Sequence, residues 1–276
     1  MRGLLIYDNA GAMRNSWFID RLISCAKEDG CELELVITDQ KSSADDLLAD
    51  TEKPDFAIVR TISPELNRAL ESRGIRVFNN SLTAKVANDK MKTHFYSVML
   101  GIPAMETKRV NGNELRIPSE FPKVIKSVDG HGGSEVFLVK NAEECKEILS
   151  LYPNKHFIAQ DLSSEPGIDM RVYVLGGKVL AAVKRTSKSD FRSNFSLGGN
   201  AEITSPPNEV LFAVKTIATS LEADFIGVDF IRHEGEWVLN EIEDVVGTRM
   251  LYSLTDIDAA DLYIKHVISK VTAPKK

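Results

Sequence analysis

The sequence predicts an α/β domain followed by an α+β domain, because its pattern changes near residue 88. Short apolar runs alternate with amphipathic helical segments before that point, which is typical of a parallel, doubly wound sheet. After it, strands come in pairs joined by glycine turns, which is typical of antiparallel hairpins. The 276 residues, 43% of them hydrophobic, are enough for more than one core.

Four strands separated by helices are predicted in the first part. In the helix over residues 16–30, Phe18, Leu22 and Ala26 recur at four-residue spacing, and Gly30 ends it. A serine cap followed by proline predicts a second helix over 63–74. The predicted strands cover 4–7, 32–38, 55–60 and 75–79, and "ADDLLAD" forms a short helix between the second and third. No GxGxxG follows the first strand, so a dinucleotide fingerprint is missing.

The second part combines hairpins with helices. A helix capped by Ser205 is predicted over residues 205–223, since two prolines occupy its first turn. The predicted order is helix 88–104, strand–glycine loop–strand 121–139, helix 141–152, strand 155–162, hairpin 169–185, helix 205–223, hairpin 225–243 and helix 256–271. Strands that pair in this way predict a second domain with antiparallel sheets.

Composition and charge exclude several classes of protein. The net charge of −6 argues against a general nucleic-acid binder, which needs a basic surface. No run approaches the roughly 20 apolar residues of a membrane helix. The three cysteines have no metal-type spacing and are too few and odd in number for a disulfide framework. Reduced thiols of this kind are typical of a cytoplasmic protein.

Several carboxylates cluster at the end of the second hairpin. Glu241 and Glu243 are two residues apart, so they point to one face of their strand, and Asp229 falls roughly opposite residues 240 and 241. Like charges across strands destabilise a sheet unless a cation lies between them. Oxygen ligands without His or Cys suit Mg²⁺. A solvated acidic strand end is the other interpretation, although the apolar strand around Asp229 favours the metal.

Two further segments carry features of anion binding. "SVDGHGGSEV" is a glycine-rich loop between strands, and Lys126 precedes its first glycine by four residues within an apolar strand. Such a lysine neutralises phosphate oxygens, but a plain turn and an edge lysine would give the same pattern. "KRTSKSDFRSNFSLGGN", over 184–200, contains Arg185 and Arg192, which suit charge developing in phosphoryl transfer. A basic surface loop is the alternative interpretation.

In this order, the segments resemble the ATP-grasp superfamily, most closely the RimK-like branch of carboxylate–amine ligases. The resemblance covers about residues 85–272. Its motifs are "DK" (89–90), the strand lysine with its glycine loop, "QDL" (160–162), "DMR" (169–171), "DFRSN" (190–194), "GVDF" (227–230) and "NEIE" (240–243). "DFRSN" followed by Gly-Gly is distinctive for RimK-type proteins.

The resemblance implies a domain organisation. Residues 1–88 correspond to a Rossmann-like preATP-grasp domain, although they resemble it less specifically. Residues 89–276 correspond to a two-lobed ATP-grasp domain, with a small lobe over about 89–165 and a large lobe over about 166–276.

The resemblance also implies site residues for ATP and for one or two Mg²⁺ ions, with Mn²⁺ as the alternative ion. Lys90 and Lys126 match the lysines that approach the phosphates. Asp229, Glu241 and Glu243 match the metal ligands. The other nucleotide contacts it implies are Gly130, His131, Gly132 and Gly133 of the mobile loop, Gln160, Asp161 and Leu162 of the adenine hinge, Asp169 near the ribose or base, and Ser193 and Asn194 at the phosphates. Arg192 and Arg185 are the expected catalytic residues.

The chain departs from the family pattern at three positions. The third metal position carries Glu243 where the family usually has Asn, so a cation would be held by one more negative charge. "DVVGTRML" replaces the usual small residue, Pro and Gly of the acceptor turn, and places Arg249 there. Arg249 either clamps an anionic group of the substrate or pairs with Asp244. His131 within the glycine loop contacts a phosphate or is simply exposed.

The activity that the resemblance implies is ATP-dependent ligation of a carboxylate and an amine through an acyl phosphate. The partners expected are small molecules, or a peptide or protein tail, with an amino acid such as glutamate as one substrate. Neither nucleic acid nor membrane is expected, and a homo-oligomer is compatible with the family. Two alternatives stay open: a small-molecule kinase on the same scaffold and a non-catalytic ATP-binding subunit.

Overall fold

A computed structural model of the chain describes residues 1–38, 43–49, 52–110, 117–133, 135–187, 191 and 200–274. The described residues form one parallel and two antiparallel sheets, covered by helices. This arrangement, an N-terminal α/β domain followed by a two-lobed α+β part, confirms the predicted fold class. No helix in the described part of the chain is long and apolar enough to cross a membrane.

The N-terminal domain is built on a parallel sheet, as the alternating pattern predicted. Its strands are β1 (Arg2–Asp8), β2 (Glu32–Thr38), β3 (Phe56–Val59) and β4 (Arg76–Phe78), in the order β2-β1-β3-β4. Its helices are α1 (Asn9–Arg14), α2 (Ser16–Glu28), α3 (Ala44–Leu48), α4 (Pro64–Ser72) and α5 (Ser81–Ala87). Side chains alternate along β1, so Leu5 and Tyr7 enter one core while Leu4 and Ile6 enter the other. Because helices cover both faces, residues 3–7 of β1 are all buried.

The small lobe is an antiparallel sheet with one helix packed on it. Its strands are β5 (Thr107–Val110), β6 (Lys123–Ser127), β7 (Val136–Val139) and β8 (Phe157–Asp161), in the order β5-β8-β6-β7. Cys145 and Leu149 of α7 (Ala142–Leu151) are buried against it. α6 (Lys90–Met99) leads into this lobe, and its Met91 packs against Val128 and Ile158.

The large lobe carries the second antiparallel sheet. Its strands are β9 (Ile168–Leu175), β10 (Lys178–Thr186), β11 (Asn200–Thr204), β12 (Phe225–His233) and β13 (Glu236–Glu243), in the order β11-β10-β9-β12-β13. Its helices are α8 (Asn208–Ser220), α9 (Arg249–Leu254) and α10 (Ala259–Thr272). The predicted Ser205 cap is wrong. Helix α8 begins three residues later, with Pro207 at its cap and no side-chain cap bond, because residues that precede proline favour extended backbone.

The N-terminal domain and the large lobe share one hydrophobic core. Tyr7 and Phe78 of the parallel sheet belong to the same buried cluster as Tyr173, Phe225 and Tyr263 of the large lobe. Buried polar groups reinforce this interface between the two domains. The Asn79 side chain donates to the Phe225 carbonyl oxygen (2.8 Å) and accepts from the Phe225 amide (2.8 Å). The predicted domain limits, 1–88 and 89–276, stay a prediction.

Candidate functional site

A cleft lies between the small and large lobes, and most of the predicted site residues line it. The predicted residues found there are Lys90, Lys126, Gly130, Gly132, Gly133, Gln160, Asp161, Leu162, Asp169, Arg185, Asp229, Glu241 and Glu243. They come from separate strands, one helix and the glycine loop, so the fold brings together residues that are far apart in sequence. We call this the inter-lobe cleft.

Two lysines cross the inter-lobe cleft from the small-lobe side. Lys90 stands in the first turn of α6, where its Nζ donates to the Gly130 carbonyl oxygen and lies 3.1 Å from Glu241 Oε1. Lys126 on β6 donates from Nζ to Asn240 Oδ1 at 2.8 Å. Burial lowers the pKa of Lys126 to about 8, against the opposing effect of Glu241. Both ammonium groups thus point toward the large lobe.

The glycine loop connects β6 to β7 and adopts a conformation that needs glycine. Gly132 and Gly133 have φ angles of +67° and +77°, in the left-handed region. At Gly130 an added Cβ would lie 2.9 Å from Glu135 Oε2 and 3.1 Å from Ser127 Cβ. The loop backbone can therefore approach a ligand more closely than a chain with side chains would allow.

The register of the second hairpin matches the prediction. Asp229 pairs with Glu241, and a β-bulge follows because Phe230 pairs with Leu239. Two residues of β13 therefore stand opposite one of β12, and the alternation of faces shifts at this point. Leu239 and Ile242 pack into the large-lobe core, whereas Glu241 and Glu243 line the cleft. The predicted convergence of three carboxylates at this end of the sheet is thus present.

Arginine side chains, not carboxylates alone, organise this end of the sheet. Arg171 on β9 donates from Nε to Asp229 Oδ1 and from Nη2 to Asp229 Oδ2, both at 2.7 Å. The same Nη2 reaches Glu243 Oε1 at 2.5 Å. Arg185 on β10 donates from Nη2 to Asp229 Oδ2 at 2.9 Å and also binds Asp169. These guanidinium groups lower the pKa of Asp229 to about 2 although burial opposes them.

Arg171 was missed as a site residue by sequence reasoning. Its signal was a charge inside the apolar strand "MRVYVL", which is costly to bury without a partner. The partners are Asp229 and Glu243. Burial raises the pKa of Glu243, as do the neighbouring Asp229 and Glu241 carboxylates, whereas Arg171 opposes the rise.

The predicted metal ligands are satisfied by cations of the protein itself. Within the described ranges, no group of three His, Cys, Asp or Glu residues is arranged to hold a metal ion. Both oxygens of Asp229 accept hydrogen bonds from guanidinium groups. Glu241 and Glu243 each have one cationic partner and oxygen donors of the kind that Mg²⁺ prefers. Their assignment as ligands stays a prediction, and the donor set fits best at these two residues.

The predicted hinge and ribose residues have structural contacts of their own. Gln160 is buried and donates from Nε2 to Thr107 Oγ1 at 2.8 Å. Asp161 pairs with Lys123 at the rim of the cleft. Asp169 is held by Arg185. The predicted residues Arg192, Ser193 and Asn194 lie outside the described residues.

A second cleft, of about 990 Å³, opens between the N-terminal domain and the large lobe. His131 of the glycine loop and Arg249 at the start of α9 both line it. The alternative pairing of Arg249 with Asp244 is not present. Asp244 instead accepts from Asn79 Nδ2 at 2.8 Å and from Asn88 Nδ2 at 3.2 Å, and burial raises its pKa. We call this the substrate cleft.

The two clefts meet at a small group of residues. Gly132, Arg171, Arg185 and Glu243 line both of them. A ligand in one cleft would therefore reach a ligand in the other across the guanidinium groups of two arginines. We call this place the junction of the two clefts.

Curated proteins of similar sequence include a relative of unknown activity and several ligases. The MG011 homologue of Mycoplasma pneumoniae is 28% identical over 98% of this chain and 91% of its own. A probable alpha-L-glutamate ligase of Maridesulfovibrio salexigens is 29% identical over 72% of this chain and 69% of its own. A probable alpha-L-glutamate ligase of Parasynechococcus marenigrum is 28% identical over 75% of this chain and 46% of its own.

Solved structures share the fold over nearly the whole chain. A D-alanine–D-alanine ligase of Bacillus anthracis complexed with ATP superposes with a TM-score of 0.77 at 16% identity, covering 98% of this chain and 97% of that one. A RimK domain ATP-grasp protein of Sphaerobacter thermophilus gives 0.73 at 20% identity, covering 97% and 100%. The model of the RimK-like ATP-grasp domain matches residues 89–267. The chain belongs to the RimK-like ATP-grasp family, whose members are ATP-dependent ligases that form carbon–nitrogen bonds.

Proposed function

We propose that this protein joins a substrate carboxylate to an amine at the expense of ATP, through an acyl phosphate. The observation that carries the proposal is the junction of the two clefts at Arg171 and Arg185. A carboxylate oxygen in the substrate cleft would attack the γ-phosphorus of ATP in the inter-lobe cleft, and ADP would leave with the electrons of the broken P–O bond. The amine would then attack the acyl carbon and lose a proton, and phosphate would leave with the electrons of the C–O bond.

Lys90 and Lys126 are the proposed phosphate ligands on the small-lobe side. Both are ammonium donors in the inter-lobe cleft, and each is bound in this structure to an oxygen that a phosphate would replace: the Gly130 carbonyl oxygen and Asn240 Oδ1. The amides of Gly132 and Gly133 would cover the transferred group and exclude water. Their positive φ angles suit such a cradle.

Glu241 and Glu243 are the proposed ligands of Mg²⁺. When bound, the ion would neutralise charge on the ATP phosphates during transfer. Asp229 would contribute by fixing the positions of Arg171 and Arg185, because both of its oxygens are already bound to their guanidinium groups.

Arg185 and Arg171 are the proposed stabilisers of the transition state. Their guanidinium groups lie at the junction, held by buried carboxylates that keep them charged and oriented. Preorganised cations lower the barrier because they need no reorganisation as charge develops. Arg192, Ser193 and Asn194 would add nucleotide contacts, as the family resemblance implies.

Glutamate is the amino acid we propose as one substrate. The support is the sequence similarity to probable alpha-L-glutamate ligases, at 28–29% identity. The acceptor would be a small molecule or a peptide end, since the substrate cleft of about 990 Å³ has the size of a small-molecule site.

Phosphorus NMR on the purified protein with Mg²⁺-ATP tests this proposal. The reactions contain amino acids, small carboxylates and polyols, first pooled and then divided. We expect ADP and inorganic phosphate only when a carboxylate and an amine are both present, and a hydroxamate when hydroxylamine replaces the amine. A phosphate ester of a polyol would identify a kinase instead. ATP binding without product from any pair would identify a non-catalytic nucleotide-binding protein.

A further inference from the structure

Arg14 and Arg249 line the substrate cleft from different domains. Arg14 ends α1 of the N-terminal domain, and Arg249 begins α9 of the large lobe. Both side chains line the cleft and both residues are exposed. Neither side chain makes a hydrogen bond or an ion pair with any residue in the described part of the chain. Two guanidinium groups, one from each domain, are thus available to a ligand in this cleft.

The other arginines of this cleft are already bound. Arg171 and Arg185 are neutralised by Asp229, Glu243 and Asp169. Arg60 is buried, donates from Nη2 to the Val246 carbonyl oxygen at 2.8 Å and lies over the Phe18 ring. These contacts fix Arg60 in the wall and leave Arg14 and Arg249 as the adaptable cations.

The carboxylates of this cleft do not offset Arg14 or Arg249. Asp8 Oδ1 accepts from the Gly11 amide at 2.7 Å, and its Oδ2 accepts from Thr61 Oγ1 at 3.1 Å. Asp244 is bound by asparagine side chains, and Glu243 by Arg171. Among the described lining residues, five arginines face three carboxylates. Asp229 and Asp169, just outside this lining, also pair with Arg171 and Arg185, so the lining arginines without an ion pair in the described part of the chain are Arg14, Arg60 and Arg249.

We propose that Arg14 and Arg249 are specificity-determining residues that bind a second negative group of the substrate, distinct from the reacting carboxylate. The reacting carboxylate would occupy the junction near Arg171 and Arg185, where the inter-lobe cleft opens. The substrate class is therefore a molecule with at least two anionic groups, such as a dicarboxylate. This inference rests on the proposed function.

The expected discrimination between substrates depends on the hydrogen-bond geometry of the guanidinium groups and on what these groups lose when they bind. A guanidinium group recognises carboxylate or phosphate through two parallel hydrogen bonds. Because the two side chains are exposed and bind no other group in the described part of the free protein, no existing contact has to be broken. They gain a partner only when the ligand binds. An amide in place of the second carboxylate would keep the size and lose the charge-assisted bonds. Discrimination of about tenfold or more is expected from one such interaction.

Calorimetric binding of isosteric pairs tests the inference. The probes are L-glutamate against L-glutamine, L-aspartate against L-asparagine, and glutarate against its monoamide, each with a non-hydrolysable ATP analogue and Mg²⁺. The proteins are the wild type, Arg14→Gln, Arg249→Gln and the control Arg68→Gln. Arg68 is exposed on α4 and lines neither cleft, so its substitution removes the same charge elsewhere.

We expect at least one diacid to bind about tenfold more tightly than its amide in the wild type and in Arg68→Gln. The ratio should fall to near one in Arg14→Gln and in Arg249→Gln, while the affinity for the ATP analogue is unchanged. Equal binding of acid and amide in the wild type, no binding of any diacid, or an unchanged ratio in both cleft variants would overturn the inference. Binding discrimination without product formation would instead refute the proposed function alone, since this readout needs no turnover.

Discussion

Arg171 donates two parallel hydrogen bonds, both 2.7 Å long, to the two oxygens of Asp229. Both side chains are buried, and Arg185 and Glu243 extend the pair into a network. Burying these charges costs free energy of desolvation. Their mutual attraction compensates this cost only while every charge keeps its partner.

A double-mutant cycle on this pair should show strong coupling. Arg171→Met or Asp229→Asn alone should lower the free energy of unfolding by about 3–5 kcal/mol, because each leaves a buried group without its partner. The double variant should lose less than the sum of the two. Urea unfolding measures all three values.

Arg232 and Glu165 provide the matched control for this cycle. They form a partly exposed ion pair, in which Arg232 Nε lies 3.4 Å from Glu165 Oε1. Arg232 lies on the same strand as Asp229. Arg232→Met and Glu165→Gln should each change stability by less than about 1 kcal/mol. Additive effects at Arg171 and Asp229 would show that the buried pair is not a coupled unit.

Glu241→Ala should abolish turnover while the fold is kept. Glu241 contacts Lys90 and is a proposed Mg²⁺ ligand, so its loss removes an electrostatic element of the site. A fall in kcat of at least about 100-fold is expected. ADP release measures turnover and circular dichroism the fold. Glu236→Ala, exposed at the other end of β13, should be fully active. Full activity of Glu241→Ala with Mg²⁺-ATP would exclude the assignment.

The affinity for ADP in the presence of EDTA should fall above pH 8. Burial lowers the pKa of Lys126 to about 8, so the free protein loses this ammonium group as the pH rises through that value. A bound phosphate favours the charged lysine, so binding should take up a proton between about pH 8 and 10. Calorimetry in buffers of different ionisation enthalpy detects that uptake.

Lys126→Met should bind ADP weakly and without this uptake, whereas Lys146→Met, on the outer face of α7, should behave as the wild type. Since the folded pKa lies below the unfolded one, the unfolded chain binds more protons in this window. The contribution of Lys126 to stability therefore rises with pH from about 8 to the ordinary lysine range. Identical proton uptake by wild type and Lys126→Met would assign the uptake to another group.

Asn79→Ala should destabilise the interface between the N-terminal domain and the large lobe. The Asn79 side chain bonds the Phe225 amide and carbonyl group and also Asp244, and it is 2% exposed. Its removal leaves several buried polar groups without a partner, at about 1–3 kcal/mol each. Chemical unfolding should show a loss of at least about 2 kcal/mol. Asn154→Ala, at an exposed position, should stay within about 0.5 kcal/mol of the wild type.

The sequence predicted the long, strongly patterned elements and some short ones, such as α3 and β4, but it missed others. α1 has six residues, includes Gly11 and is started by the Asp8 side chain, so it shows no apolar period. β5 reads "TKRV", with two charged residues on an edge strand. Helical or strand periodicity needs more residues than these elements contain.

The candidate site was predictable as a set of residues and not as a set of contacts. Strand alternation correctly placed Glu241 and Glu243 on one face. The role of Arg171 was not predicted, because which cation satisfies a buried carboxylate depends on the lateral order of β9, β10 and β12 in the sheet. That order brings Arg171 directly opposite Asp229, a relation that no local pattern encodes.

The bulge in β13 adds a residue that contacts the small lobe without changing the faces to which its neighbours point. Asn240 is the supernumerary residue there, since Leu239 and Glu241 pair with consecutive residues of β12. A strand without it would still direct Leu239 inward and Glu241 toward the cleft, by simple alternation. Asn240 is therefore not needed for the pairing register of the two strands. Its side chain accepts the hydrogen bond that Lys126 donates from the small lobe. The contact between the lobes can thus change by substitution at one position while the acidic face stays in place.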